Sequence, residues 1–271
     1  MSNEKKIDFH THFFPDKVAK AAIPRMEAAS AGHKAFIDGT AAGLIASMDR
    51  AGIESSVVLP VATNPEKVSS VNRFSASVDE PRLFMLGTLH PKSAGWRGEL
   101  EEVISFGMPG IKLHPDYQGF HPDDPELLPF FAALRDNGLL LAIHAGEDLS
   151  YEPPFGGGPA RIAKLMDALP GLTVMAAHMG GFRMWDEVEE HLVGRPVYMD
   201  TSFGVGYLSD KRLRAMISSH GTKYILFGTD SPWLDQAAEI EKVQALNLGS
   251  AAEEQIFFTN ALRLIPALAL G

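Results

Sequence analysis

His10 and His12 stand two residues apart in Asp8-Phe9-His10-Thr11-His12, a stretch that reads as an extended strand and its exit. In extended backbone, residues i and i+2 point to the same face, so both imidazoles can share one ion. His144, His178 and Asp230 each close an apolar run further along the chain and would supply third and fourth ligands. The chain has no cysteine, which excludes disulfides, thiolate zinc sites and a catalytic thiol. Any metal must therefore be held by histidine nitrogen and carboxylate oxygen.

The elements that would carry these residues are short apolar runs, each followed by a longer amphipathic segment. Strands are expected over 6–9, 55–62, 84–91, 110–115, 139–146, 172–179, 197–203 and 224–229. Runs such as Ser56-Val57-Val58-Leu59-Pro60-Val61 and Leu139-Leu140-Leu141-Ala142-Ile143 lack polar alternation, as strands covered on both faces do. Helical patterns fill the intervals 41–51, 66–79, 96–106, 125–137, 159–168, 184–193, 209–219 and 235–246, with a last one near 251–264. Gly52, Gly107, Gly138 and Gly171 fall where helices should end. Eight strand-helix units in series predict an α/β fold of the (β/α)8 TIM-barrel class, one domain over residues 1–271. An open doubly wound sheet would fit the same alternation. Such sheets usually carry an early glycine-rich phosphate loop, and Gly156-Gly157-Gly158 follows the fifth strand with no such context.

In a barrel of this class, active sites lie at the C-terminal strand ends. Six of the ten histidines fall there: His10, His12, His90, His114, His144 and His178. Asp200 and Asp230 end the seventh and eighth strands. The formal charge is −10 and no basic stripe is present, which argues against nucleic acid and anionic membrane surfaces as partners. No apolar run approaches the roughly 20 residues of a membrane span, and Met1–Lys6 shows no apolar signal region. A cytoplasmic enzyme with a small-molecule substrate, able to form a homo-oligomer, is the expectation.

Asp8-Phe9-His10-Thr11-His12-Phe13-Phe14-Pro15 resembles the DxHxHxxP opening of the amidohydrolase superfamily. More narrowly, the chain is similar to the amidohydrolase-related branch that includes aminocarboxymuconate semialdehyde decarboxylase. Gly110-Ile111-Lys112-Leu113-His114-Pro115, Ile143-His144-Ala145-Gly146, Ala177-His178-Met179-Gly180-Gly181 and Phe227-Gly228-Thr229-Asp230-Ser231-Pro232-Trp233 follow that branch in order. The resemblance implies that His10, His12 and His144 bind a divalent metal and that Asp230 is both ligand and proton acceptor. It implies His178 as a ligand or an electrophile. Such a set suits Zn²⁺, with Mn²⁺ and Fe²⁺ as alternatives, and a water on the ion would have its pKa lowered toward about 7.

Lys112 is expected either as an ammonium that binds a substrate carboxylate or, as in binuclear members, as a carbamate bridging two metals. His114, Tyr117, Glu147 and Trp233 are expected to contact substrate, and residues 13–39 and 147–158 to carry specificity, the second as a partly mobile lid. Asp8 should point inward as a support, and Asp200 should either support a ligand or cap the following turn. His90 could touch substrate or simply end its strand, and Gln118 could line the pocket or lie in a solvated loop. His33, His121, His191 and His220 are expected at the surface. The leading reaction is hydrolysis of an ester, lactone or amide of a small organic acid by a metal-dependent hydrolase. Nonoxidative decarboxylation by a carboxy-lyase of an aromatic or muconate-type acid is the alternative, and a catalytically inactive ligand-binding barrel the third.

Overall fold

A computed structural model describes residues 5–30 and 32–270. Met1–Glu4 of the N-terminal segment read above lie outside the described residues. The strands are β1 (Ile7–Thr11), β2 (Ser55–Val58), β3 (Leu83–Met85), β4 (Gly87–Thr88), β5 (Gly110–Leu113), β6 (Leu140–Ile143), β7 (Val174–Ala176), β8 (Tyr198–Asp200) and β9 (Ile225–Leu226). The main helices are α1 (Asp16–Ala29), α2 (Ala41–Ala51), α3 (Val68–Ala76), α4 (Trp96–Ser105), α5 (Pro115–Gln118), α6 (Leu128–Asp136), α7 (Pro159–Ala168), α8 (Trp185–His191), α9 (Asp210–His220) and α10 (Gln236–Ala245). They are followed by α11 (Ser250–Glu254), a π turn over Gln255–Thr259, α12 (Asn260–Leu264) and a 3-10 turn over Pro266–Leu270.

The chain forms two compact units, which exchange the chain at Val58, at Glu80, at Phe84 and within β8. The first holds residues 1–58, 81–84 and 200–271. Here β1 pairs in parallel with β2 in the register Ile7↔Ser55 and Asp8↔Ser56. On its other side, Phe9 N–H donates to the Phe227 carbonyl at 2.8 Å, and Thr11 bridges Ser231 in parallel. Thr201 N–H donates to the Leu226 carbonyl at 3.0 Å, so the end of β8, then β9, β1, β2 and β3 stand side by side. The π turn closes against β9, where the Ile256 carbonyl accepts from Phe227 N–H at 2.9 Å.

The second unit holds residues 59–80 and 85–199, with β4, β5, β6, β7 and β8 in parallel sequence order. Every residue of β5, β6 and β7 is buried. That is why the β6 and β7 runs are apolar without alternation, as strands covered on both faces are.

Helices 41–51 and 159–168 lie where periodicity put them, and the four helix-ending glycines have left-handed φ. Two expectations need correction. The strand expected over 84–91 is two: Leu83–Met85 joins β2, while Gly87–Thr88 joins β5, with fully buried Leu86 between them. Residues 13–39 contain α1, for which no helix was expected. Its start lacks a side-chain cap and Pro24 lies inside it, so both sequence signals for a helix are missing. Among the described residues no helix is long and apolar enough to cross a membrane.

Candidate active site

In the first unit, the parallel pairing of β1 with the segment after β9 brings together three side chains of types that can ligate a metal. Asp230 N–H donates to the His10 carbonyl at 2.7 Å, and His12 N–H to the Ser231 carbonyl at 2.6 Å. Asp230 Oδ1 then lies 2.9 Å from His12 Nε2 and 3.4 Å from His10 Nε2. Asp230 sits at φ 57°, a left-handed conformation that costs a non-glycine residue energy and that aims its side chain back toward β1. Gly228, two residues earlier, makes this approach feasible, because a Cβ there would lie 2.9 Å from His10 Cβ and 3.0 Å from Asp200 Cβ.

Two buried carboxylates support this group. Asp200 accepts from His10 Nδ1 at 3.0 Å through one oxygen, and from the Ser202 amide at 2.9 Å and the Ser202 hydroxyl through the other. It thus does both things expected of it: it supports a histidine and caps the turn. With Nδ1–H given to Asp200, the lone pair of His10 is left on Nε2, facing Asp230. Asp8 is fully buried and accepts four hydrogen bonds, from the His10 and Thr229 amides, the Thr229 hydroxyl and Gln236 Nε2. Burial pushes its carboxyl up to about 7 against the pull of those donors. Asp8 is a support that ties β1 to the Asp230 turn. Trp233 is half-buried, its amide donating to the Asp230 carbonyl at 3.0 Å.

The second unit gathers another cluster at the ends of β5, β6 and β7. His178 Nε2 lies 3.2 Å from His144 Nδ1, and His144 Nε2 lies 3.2 Å from the Glu147 carbonyl. His114 stacks between Tyr117 (3.8 Å, 7°) and His144 (4.0 Å, 9°), with its Nε2 3.2 Å from Asp148 Oδ2. Buried Lys112 lies close enough for its charge to act on both rings. Burial, helped by that charge, pulls His114 down. His144 is held well below the ordinary imidazole range, first by burial and then by the charges of His114, His178 and Lys112. Both rings are therefore neutral at pH 7. Glu147 reaches Arg183 at 3.7 Å. His178 and Met179 both have left-handed φ, strain of the kind functional turns retain.

The segment expected to be a lid is tightly packed at its glycine end. Gly156, Gly157 and Gly158 are all buried, and a Cβ on Gly157 would lie 2.6 Å from the His144 carbonyl. Gly156 and Gly157 serve close backbone approach, with a Cβ on Gly156 lying 2.9 Å from the Phe120 carbonyl, whereas Gly158 has room for one. Gly146 is the sharpest case: at φ 90°, its absent Cβ would land on the backbone of Phe182. Gly146→Ala should therefore destabilise the fold by about 2–6 kcal/mol, adding left-handed strain to overpacking. Denaturant unfolding checks this, and a loss under about 1 kcal/mol would show that the parallel bridge between Gly146 and Phe182 gives way easily.

Among the remaining expectations, Gln118 is buried, which rules out the solvated loop. Its side chain bonds the Ala62 carbonyl, the Leu89 carbonyl and the His114 amide, joining three strand exits. His90 is also buried, and its Nδ1 caps the turn at the Lys92 amide. His220 is buried at the end of α9 rather than at the surface. Ring packing near Tyr224 overrides its terminal position. Asp148 was grouped with the 147–158 segment by sequence, but no spacing signalled its bond to His114.

The Amidohydrolase family model matches residues 7–267. The chain belongs to the amidohydrolase family. No curated protein matches the sequence. Among solved structures, this amidohydrolase is similar to the uncharacterized TIM-barrel protein Bb4693 from Bordetella bronchiseptica (TM-score 0.78, 19% identity, 98% of this chain and 99% of that one). It is also similar to 5-carboxyvanillate decarboxylase LigW from Sphingomonas paucimobilis (0.74, 18%, 97% and 99%). A third similar structure is 2,6-dihydroxybenzoate decarboxylase from Rhizobium (0.71, 18%, 98% and 99%). At these identities the likeness shows the fold, which is the expected α/β TIM barrel.

Membership makes the amidohydrolase a metal-dependent enzyme. Its donor chemistry fits a divalent ion: the ligand atoms of His10, His12 and Asp230 lie within 4.8 Å of one another. Two ligands on a tetrahedral ion with bonds near 2.0–2.1 Å are about 3.3 Å apart. The two Asp230 distances, 2.9 and 3.4 Å, bracket that separation.

Proposed function

We propose that this amidohydrolase holds one divalent ion, Zn²⁺, on His10, His12 and Asp230. His144 is the further nitrogen ligand, supported by the family motif Ile143-His144-Ala145-Gly146. Neutral imidazoles and a carboxylate favour Zn²⁺ over harder ions, with Mn²⁺ and Fe²⁺ as competitors. Such an ion supplies Lewis acidity and lowers the pKa of a water toward about 7. The reaction is hydrolysis of an ester, lactone or amide of a small organic acid.

The observation that carries this reading is the 2.9 Å contact between His12 Nε2 and Asp230 Oδ1. It puts a carboxylate among the candidate ligands, where it can take a proton from the attacking water and return it to the leaving group. Asp200 keeps the His10 lone pair on Nε2. His178 offers a hydrogen bond to the oxygen that gains charge, and Lys112 receives a substrate carboxylate in preference to serving as a carbamate. His114, Tyr117, Glu147 and Trp233 contact the rest of the substrate.

Lys112 also bears on the alternative. An ammonium that binds a carboxylate stabilises that charge in the ground state and so opposes its loss as CO2. A carboxylate held there is a handle, not a leaving group. Decarboxylation of another carboxyl group is the second reading, favoured by the two decarboxylases among the similar structures.

Incubating the metal-loaded enzyme in ¹⁸O-water with lactones, esters and aromatic or muconate-type carboxylates separates the two. Hydrolysis puts one ¹⁸O atom into the acid product and releases no CO2. Release of CO2 without ¹⁸O uptake would assign the second reading and overturn the first.

A further inference from the structure

His114 and His144 need fixed ring planes if they are to serve a site, since ligands and substrate contacts work only within about 10–20° of their productive orientation. One loop following β6 holds both. Glu147 gives its carbonyl to His144 Nε2 at 3.2 Å, and the adjacent Asp148 gives Oδ2 to His114 Nε2 at 3.2 Å. Consecutive residues therefore orient consecutive rings of one stack.

Asp148 is built for this. Its side chain is 11% exposed, and its other oxygen is occupied by the Ser150 amide at 2.8 Å, which fixes the carboxylate in a local turn. On His114, Nδ1 faces the Tyr117 amide at 3.4 Å, so it is the acceptor and Nε2 carries the proton. Both nitrogens are engaged, which makes His114 a rigid plate. Tyr117 covers one face at 3.8 Å, and His144 packs on the other at 4.0 Å, within 9° of parallel. Burial pushes the Asp148 carboxyl up, but the bonds from His114 and Ser150 outweigh it and hold it below the usual range, so Asp148 is ionised at neutral pH.

We infer that Asp148 is a positioning residue. Through His114 it fixes the plane of His144, and its effect on metal binding rests on the reading of His144 as a ligand. The neighbouring backbone carbonyl sets how that ring turns within its plane. Removing the carboxylate frees His114 to rotate and loosens the face against which His144 packs.

The experiment compares Asp148→Ala, Asp148→Asn, His114→Phe and the Asp148→Ala/His114→Phe double variant by histidine ¹⁵N spectra and by Zn²⁺ titration. In the wild type, His114 should show a single Nε2–H tautomer. Asp148→Ala should mix the tautomers and weaken Zn²⁺ binding about 10- to 100-fold, the usual cost of losing a support to a ligand. Asp148→Asn should keep both near wild type, since an amide oxygen accepts the same N–H. The double variant should bind Zn²⁺ no more weakly than His114→Phe alone, because Asp148 acts through that ring. An unchanged tautomer in a folded Asp148→Ala protein, or additive losses in the double variant, would overturn the inference. A wild type that binds no Zn²⁺ would instead sink the metal reading, and the spectra alone would then decide whether Asp148 fixes His114.

Discussion

Asp230→Asn is expected to lower kcat by about 10²–10⁴-fold, the usual contribution of a placed proton acceptor. The substitution keeps size, and asparagine tolerates the left-handed backbone at φ 57° better than most residues, so the turn after β9 should form normally. The amide can still offer an oxygen to a cation beside His12, but it cannot take up a proton. Occupancy by Zn²⁺ should therefore fall far less than turnover does. The pH–rate profile should lose or shift its acidic limb. Turnover by the reconstituted enzyme, read beside metal content and a thermal melt, checks the expectation. Near-normal rates from a folded, metal-loaded variant would mean that another group moves the proton, with His178 the first suspect.

His12→Ala should abolish stable metal binding. The imidazole contributes one of the three donors in the first-unit group, and its Nε2 makes the shortest approach to Asp230, at 2.9 Å. The side chain is 20% exposed and lies just past the end of β1, so its loss opens no core cavity. The backbone amide bond to Ser231 survives the change. Metal analysis should give a ratio near one for the wild type and near zero for the variant, with a melting temperature within a few degrees, as about 1 kcal/mol would produce. A variant that kept metal at the wild-type ratio would remove the HxH pair from the ligand set. A wild-type ratio near two, with reconstitution dependent on bicarbonate, would assign Lys112 as a carbamate and replace its proposed role as a free ammonium.

Much of the architecture was legible because it repeats. Apolar runs without alternation marked β2 and β6, and periodicity placed α2 and α7 to the residue. Where local signals conflicted, the reading failed. Pro24 and a missing cap hid α1, and the single strand expected over 84–91 concealed a change of partners at Leu86. Gly156 and Gly157 read as flexibility, because composition cannot distinguish a glycine that moves from one that is crowded.

The amino-acid sequence alone determined which residues stand at strand exits and which share a face. Parity along an extended chain is a local property, and His10, His12, His114, His144, His178 and Asp230 follow from it together with the family motifs. Only the tertiary structure decided which of these side chains touch and what holds them. His10 meets Asp200 across 190 positions of sequence, and Asp8 meets Thr229 across 221. Those contacts come from the pairing of parallel strands that are distant in sequence. Asp148 meets His114 only because its loop folds back over a stack of rings. No short-range pattern records such bonds, since each depends on where the backbone of a remote segment lies to within about an ångström, the tolerance of a hydrogen bond.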